Sequence, residues 1–79
     1  MSTTPGALKW RDLRNPNKVW AAQSYRVELH ATEAGELIYL SEAYDVPDPL
    51  RALSLALLDC QRLHPFARID IDRLRIYER

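Results

Sequence analysis

The sequence predicts a small α+β domain, in which one principal helix packs on one face of an antiparallel sheet of three or four strands. The observations behind this prediction are two adjacent strand patterns over residues 25–44, one amphipathic helix after them, and a further strand near the end of the chain. The expected order is (β)ββαβ. A chain of 79 residues has room for one domain, and its core is small.

The helix is predicted over Asp48–Leu63, DPLRALSLALLDCQRL. Asp48 is a favourable N-cap, and Pro49 suits the first helical position, where its missing N–H costs nothing. His64 precedes a proline and is therefore pushed out of the α region, which ends the helix. At about 100° per residue, one broad apolar face is expected to meet the sheet. Its members are Leu50, Leu53, Ala56, Leu57, Cys60 and Leu63.

The hairpin is predicted from alternation. Apolar residues from Tyr25 to Ala31 alternate with polar ones, and residues 37–44 form the returning strand after a loop that contains Gly35. Tyr25 and Tyr39 are expected in the core. Both faces of the returning strand are apolar near its start, which predicts that both are covered there.

The last strand is predicted over Phe66–Tyr77, with a change of phase inside it. Ile69 and Ile71 share one face, whereas Ile76 has the opposite parity. A slip of one residue reverses every side chain in a strand. Either a β-bulge lies near Asp72, or the strand ends there. The order of strands in the sheet stays open, because this strand could pair with either member of the hairpin.

The N-terminal part is divided in two. Residues 1–6 are small and polar and are expected to be a disordered tail, whereas residues 7–79 form the domain. Residues 7–20 form an arm that is too apolar to be free and is expected to dock on the core. Burial of Trp10 and Trp20 would enlarge that core. The alternative is that the arm binds a partner.

Composition argues against several classes of protein. Cys60 is the single cysteine, so an intrachain disulfide is impossible and a reducing compartment, the cytoplasm, is expected. The opening residues lack the apolar run of a signal peptide, and no stretch is long enough to span a membrane. No spacing suggests a metal site, a phosphate loop or a nucleophilic triad. We therefore expect no catalytic, metal-binding or cofactor-binding residues, and no enzyme.

The histidines and the paired acids have structural explanations. His30 lies on the polar face of its strand, and His64 ends the helix, where the dipole favours a charged imidazole. Asp70 and Asp72 share a strand face, but nearby arginines make surface ion pairs the expected explanation.

Charge is segregated although the formal net charge is zero. The first 26 residues are basic, and residues 27–48 are acidic. Attraction between the two regions within one monomer is the simplest interpretation. The alternative is nucleic-acid binding through the arm, where cations accompany aromatic rings. Its candidate residues are Lys9, Arg11, Arg14 and Lys18. A minor alternative is an acidic mimic or inhibitor of a basic partner protein, which would use Glu28, Glu33, Glu36 and Glu42.

The helix carries more leucine than one face needs. Residues spaced by four, three and four lie on one side of a helix, and such a set forms an apolar ridge bounded by arginines. The ridge consists of Arg51, Leu55, Leu58 and Arg62. It predicts a small non-catalytic protein-interaction or regulatory module, with Trp10 and Trp20 as further contacts and a homodimer as one form of the interaction. The alternative is that the tryptophans of the arm cover the ridge.

The stretch Tyr25–Cys60, YRVELHATEAGELIYLSEAYDVPDPLRALSLALLDC, resembles the antitoxin half of bacterial HicA/HicB pairs. Those proteins open with a hairpin that has an acidic-glycine turn, followed by a helix and a strand. The Pro-Glu/Asp-Leu-Pro-Gly stretch that follows their second strand is absent here. The resemblance implies the element order alone, and no site residue is carried over.

Overall fold

The computed structural model describes residues 8–14 and 20–79. The predicted α+β class and the predicted order ββαβ are confirmed. A short helix precedes the sheet, and a single turn of 3₁₀ helix separates the last two strands. The elements are α1 (Trp10–Leu13), β1 (Tyr25–Glu33), β2 (Glu36–Tyr44), α2 (Pro49–Leu63), β3 (Arg68–Ile69), the 3₁₀ turn (Ile71–Arg73) and β4 (Arg75–Glu78).

Strand β1 is the centre of the sheet. It pairs antiparallel with β2 on one side and with both β3 and β4 on the other. Alternate residues of β1 face α2 and are buried, which matches the predicted period. These residues are Tyr25, Val27, Leu29 and Ala31. The last strands therefore pair with the first member of the hairpin, a choice that local sequence had left open.

The 3₁₀ turn explains the change of phase near Asp72. Ile69 lies opposite Ala31, and Ile76 lies opposite Val27. Between these pairs β1 advances by four residues and the C-terminal segment by seven, so the turn takes up the three extra residues. An odd number of extra residues reverses the alternation. The prediction of one strand over Phe66–Tyr77 is wrong, because β3 ends at Ile69 and the 3₁₀ turn separates it from β4. The predicted interruption near Asp72 is correct, but Ile71, expected beside Ile69, is 50% exposed.

The hairpin turn consists of Ala34 and Gly35, both with positive φ, 52° and 82°. Two central residues in this conformation define a two-residue turn whose twist matches that of the flanking strands. It holds β1 and β2 in register without a bulge, from Glu33 opposite Glu36 to Tyr25 opposite Tyr44.

Helix α2 begins where the sequence predicts, with the Asp48 carboxylate accepting a hydrogen bond of 2.9 Å from the backbone N–H of Leu50. Its predicted buried face is partly wrong. Leu50, Leu57 and Leu63 are exposed, and the buried residues of the helix are Pro49, Ala52, Leu53, Ala56 and Cys60. Short side chains let the helix backbone approach the sheet closely, so the stripe centred on alanine meets the sheet and the leucines lie beside it.

The N-terminal residues that the structure describes lie against the sheet. Leu8 and Ile76 exchange backbone hydrogen bonds of 2.7 and 3.0 Å, which extends the sheet beyond β4. Leu8 and Leu13 belong to the buried core, and Trp20 packs against it. The predicted tail, residues 1–6, lies outside the described residues, as do residue 7 and residues 15–19 of the arm.

Candidate functional site

The ridge that the sequence predicted lies on the side of α2 that faces away from the sheet. Arg51 and Arg62 are exposed, Leu55 is half-buried, and Leu58 is 57% exposed. The opposite side of the same helix turns contributes Ala52, a fully buried residue. The helical spacing therefore brings the four ridge residues together on one accessible stripe.

Side-chain hydrogen bonds order one end of the ridge. The guanidinium of Arg62 donates to Oδ1 of Asp59 at 3.0 Å, and the hydroxyl of Tyr44 donates to Oδ2 of the same carboxylate at 2.6 Å. Burial, followed by the hydrogen bond and the charge of Asp59, raises the pKa of Tyr44 well above its ordinary value. Arg62 is thus linked through Asp59 to the end of β2, which restricts its orientation at the helix surface.

More exposed apolar surface lies at the end of α2 than the sequence indicated. Leu63 is 68% exposed and Phe66, just beyond the helix, is 84% exposed. Both were expected to belong to the core or to a strand. Leu63 has the angular position of a core residue, but it lies at the β2 edge of the sheet, where it shares a shallow hollow with Leu40 and Glu42 and stays exposed. The signal that could have located it is its place in the last turn.

The two tryptophans lie in different surroundings. Trp10 lines a different hollow, of about 300 Å³, to which no ridge residue contributes. The residues around this hollow are Lys9, Trp10, Arg11, Ile71, Asp72 and Arg75. Trp20 is half-buried against the core. Trp10 therefore does not supply the contact that was predicted for it at the ridge.

The basic arm gains a residue from the far end of the chain. Lys9, Arg11 and Arg14 are exposed, and Arg75 of β4 lines the same hollow as Lys9 and Arg11. The guanidinium of Arg75 is held by hydrogen bonds of 2.8 Å to the carbonyls of Asp72 and Leu74. Lys18 lies outside the described residues. Local sequence could not reveal Arg75, because β-pairing alone brings it to the arm.

The acidic residues of the hairpin do not form one patch. Glu28 lies on the sheet face away from α2, where it accepts a hydrogen bond of 2.9 Å from the hydroxyl of Tyr39. Glu33, Glu36 and Glu42 have the opposite parity. Glu33 is also engaged within the fold, by His64 at 3.1 Å and by the backbone N–H of Phe66 at 3.0 Å.

The face of the sheet opposite α2 carries exposed aromatic and apolar side chains. Tyr39 was expected in the core, but it is 58% exposed because its parity places it on this face. Its ring lies 5.0 Å from that of His30, centroid to centroid. The early apolar residues of β2 are thus not covered on both faces by the described residues, since Leu37 is 84% exposed.

Cys60, His64 and Glu33 lie near one another at the end of α2, a grouping that spacing did not predict. The thiol is buried, and burial raises the pKa of Cys60, as does the nearby carboxylate of Glu33. Such a thiol is poorly suited to form the thiolate that acts as a nucleophile. The hydrogen bond between Glu33 and His64 joins the hairpin to the residue that ends the helix.

Within residues 8–14 and 20–79, no group of three His, Cys, Asp or Glu side chains is placed to hold a metal ion. No helix in this part of the chain combines the length and the apolar character that a membrane crossing requires.

Comparison with known proteins found no similar protein. No family model matches the chain, and neither the curated proteins nor the solved structures contain a match. The resemblance to the antitoxin half of HicA/HicB pairs that the sequence suggested therefore gains no support from these comparisons.

Proposed function

We propose that this chain is a small non-catalytic protein-interaction or regulatory module, and that its contact surface is the ridge on α2. The observation that carries the proposal is the exposure of Leu58, 57%, between Arg51 and Arg62 on a helix whose other side is buried in the core. Arginine is enriched at protein interfaces, and an exposed apolar side chain between two arginines offers area that a partner can bury. Cys60 is the single cysteine and is buried as a free thiol, which supports a location in the reducing cytoplasm.

The chemistry of the ridge suits a protein partner. Leu58 offers apolar area, whose removal from water contributes about 25 cal/mol per Å². Arg62 is held by Asp59 before any partner arrives, so less side-chain entropy is lost on binding. Arg51 has no ion-pair partner among the residues that the structure describes, which leaves its guanidinium available to a carboxylate of the partner.

The test uses one substitution at two exposed leucines of the same helix. Leu58→Glu places a charge on the ridge, and Leu50→Glu places the same charge beside it. Tagged wild-type protein and both variants are incubated with nuclease-treated extract of the native cells, and bound proteins are quantified by mass spectrometry. We expect a stoichiometric partner that Leu50→Glu retains and Leu58→Glu loses at least tenfold. Circular dichroism confirms that both variants fold.

The proposal is wrong if both variants retain the partner equally, or if wild-type protein binds no other protein and does not bind itself. Loss of the partner in both variants, with the fold intact, would place the contact on the flank of the helix instead of the ridge.

A second candidate function is nucleic-acid binding at the arm. The observation that favours it is the hollow in which Trp10 meets Lys9, Arg11 and Arg75. Cations can neutralise phosphates there, and the indole offers a face on which a base stacks. Asp72 in the same hollow opposes this function, because its charge repels phosphate.

Fluorescence anisotropy with a labelled single-stranded oligonucleotide tests this second candidate. We expect binding that weakens steeply as salt rises and that is lost when Lys9→Ala and Arg11→Ala are combined. Arg51→Ala, which removes a cation from the ridge, is the control and should bind as wild type. Affinity that does not change with salt concentration contradicts this candidate. So does an equal loss of affinity in the Lys9→Ala/Arg11→Ala variant and in Arg51→Ala. An acidic mimic is the least favoured function, because the hairpin acids lie on both faces of the sheet.

A further inference from the structure

Strand β2 is an edge of the sheet, and its outward backbone groups follow from the hairpin. In a two-residue hairpin, the residues that flank the turn exchange hydrogen bonds, and bonded pairs then alternate along the ladder. Ile38, Leu40 and Glu42 therefore direct their backbone groups towards β1. The four residues that direct theirs away are Leu37, Tyr39, Ser41 and Ala43. The opposite edge of β1 agrees, because the carbonyl of His30, opposite Tyr39, accepts from the N–H of Asp70.

This edge lacks most of the features that usually prevent strands from pairing between molecules. Proteins protect exposed edges with charged side chains, especially lysine, and with proline, bulges or a covering segment. Strand β2, ELIYLSEAY, has neither lysine nor proline, its register with β1 has no bulge, and its charged residues are Glu36 and Glu42. Among the described residues, β1 is the only strand that pairs with it. The other side of the sheet differs, because Leu8 bridges the outer side of β4.

The strand is self-complementary about Leu40. An antiparallel pairing of β2 with the β2 of a second copy, with the two-fold axis at Leu40, sets Leu37 opposite Ala43 and Tyr39 opposite Ser41. All the outward groups then meet outward groups of the other copy. On the other face, Ile38 lies opposite Glu42, so no two glutamates face each other. If the axis moves by one residue along the strand, one of the four residues with outward backbone groups no longer faces a residue of the other β2 strand.

We infer that this chain forms a homodimer through antiparallel pairing of two β2 strands, which joins two sheets into one continuous sheet. The pairing also covers apolar surface on the helix side. Leu40 and Leu63 line one shallow hollow at this edge, of about 160 Å³, and Leu63 is 68% exposed. An axis at Leu40 brings the Leu63 side chains of both copies to the same side of the joined sheet. This inference goes beyond the proposed function, because it rests on the strand edge and not on the ridge.

A matched pair of variants at Ser41 tests the inference. Ser41→Ala removes the hydroxyl, which accepts a hydrogen bond from Arg26, but keeps the N–H. Ser41→Pro removes both the hydroxyl and the outward N–H, while the bonds between β1 and β2 use other residues. Light scattering after size exclusion, over a wide range of protein concentration, should show dimers for wild type and Ser41→Ala. It should show monomers for Ser41→Pro, with unchanged circular dichroism.

Amide hydrogen exchange in wild-type protein gives a measurement that needs no variant. At high concentration, the amides of Leu37, Tyr39, Ser41 and Ala43 should be protected, and dilution should make them exchange rapidly. The amides of Ile38, Leu40 and Glu42 should stay protected at both concentrations, because they bond to β1.

A wild-type protein that is monomeric at every concentration overturns the inference. So does a dimer whose outward amides exchange rapidly, since its interface would then lie elsewhere. Protection of these amides that persists on dilution to monomer also overturns it, because another part of the same chain would then cover the edge. Protection that appears only when a different protein is added would assign the edge to a foreign strand.

Discussion

Tyr25 and Tyr44 lie directly opposite each other in the ladder of β1 and β2, yet their hydroxyl groups have different surroundings. The hydroxyl of Tyr44 donates to Oδ2 of Asp59 at 2.6 Å. The hydroxyl of Tyr25 is buried and makes no well-formed hydrogen bond among the described residues. Burial raises the pKa of Tyr25, although the backbone of Ala22 lies close enough to lower it slightly against that effect. This pair of positions therefore compares a hydroxyl that forms a short hydrogen bond with a buried hydroxyl that does not.

We expect Tyr44→Phe to lower the free energy of unfolding by about 1–2 kcal/mol, because it removes a hydrogen bond to a charged acceptor. Tyr25→Phe should change it by less than about 0.5 kcal/mol, because its hydroxyl makes no well-formed hydrogen bond. Urea denaturation followed by circular dichroism measures both. Equal losses in the two variants would contradict the prediction, because the bond to Asp59 would then contribute no more than a buried hydroxyl without such a bond.

Stability should fall in alkaline solution. Burial raises the pKa of Tyr44, and the bond to Asp59 raises it further; burial and then the charge of Glu78 raise the pKa of Tyr25. Above the ordinary value of 10.0, the unfolded chain loses phenolic protons that the folded chain keeps. The contribution of these two tyrosines to the free energy of unfolding is thus complete below pH 10. It is lost as the pH rises towards the pKa values of the two hydroxyl groups in the folded protein. Urea denaturation at about pH 8 and about pH 11 measures the fall. Tyr44→Phe should show a smaller fall, and an unchanged one would contradict the assignment.

The hairpin turn is expected to respond in opposite directions at its two residues. Ala34 has a φ of 52°, which strains a residue with a Cβ, so Ala34→Asn should stabilise the protein by about 0.5–1 kcal/mol. Gly35 has a φ of 82°, and a Cβ there would meet no atom within 4 Å. Gly35→Ala should therefore cost about 1 kcal/mol through backbone strain alone. Thermal unfolding measures both, and a stabilising Gly35→Ala would contradict the turn geometry.

The parts of the fold that sequence predicts are those set by local pattern. Alternation from Tyr25 to Ala31 and the cap at Asp48 act over a few residues, so the hairpin and the bounds of α2 are correct. Pairing of β3 and β4 with β1 depends on contacts between distant segments, which periodicity does not encode. The change of phase before Ile76 indicated an interruption, but the register with β1 was needed to show that three residues are extra.

The candidate surfaces divide in the same way. The ridge is a matter of helical spacing, and the structure places Leu58 where the spacing predicts. The buried side of α2 was mispredicted because hydrophobicity favours leucine, whereas close approach to the sheet favours residues such as Ala52 and Ala56. The meeting of Arg75 with the arm, and the open edge of β2, both follow from the central position of β1. Neither could be predicted before that position was known.

Glu33 connects the hairpin to the segment that leaves α2. Its carboxylate bonds to Nδ1 of His64 at 3.1 Å and accepts from the N–H of Phe66 at 3.0 Å, so one side chain fixes the chain reversal between α2 and β3. We expect Glu33→Ala to lower the free energy of unfolding by about 1–2 kcal/mol, since both bonds are lost at once. The amide of Phe66 should also exchange faster with solvent.

Glu36→Ala is the matched control, because Glu36 faces Glu33 across the same turn and is exposed. It should change stability by less than about 0.5 kcal/mol and leave the exchange of Phe66 unaltered. Glu33→Gln keeps an oxygen that can accept from Phe66, so it should lose less than Glu33→Ala. Urea denaturation of the three variants, with amide exchange at Phe66, separates the charge of the hairpin from the two bonds. If Glu36→Ala destabilised the protein as much as Glu33→Ala, the effect would belong to turn charge and not to the link with α2.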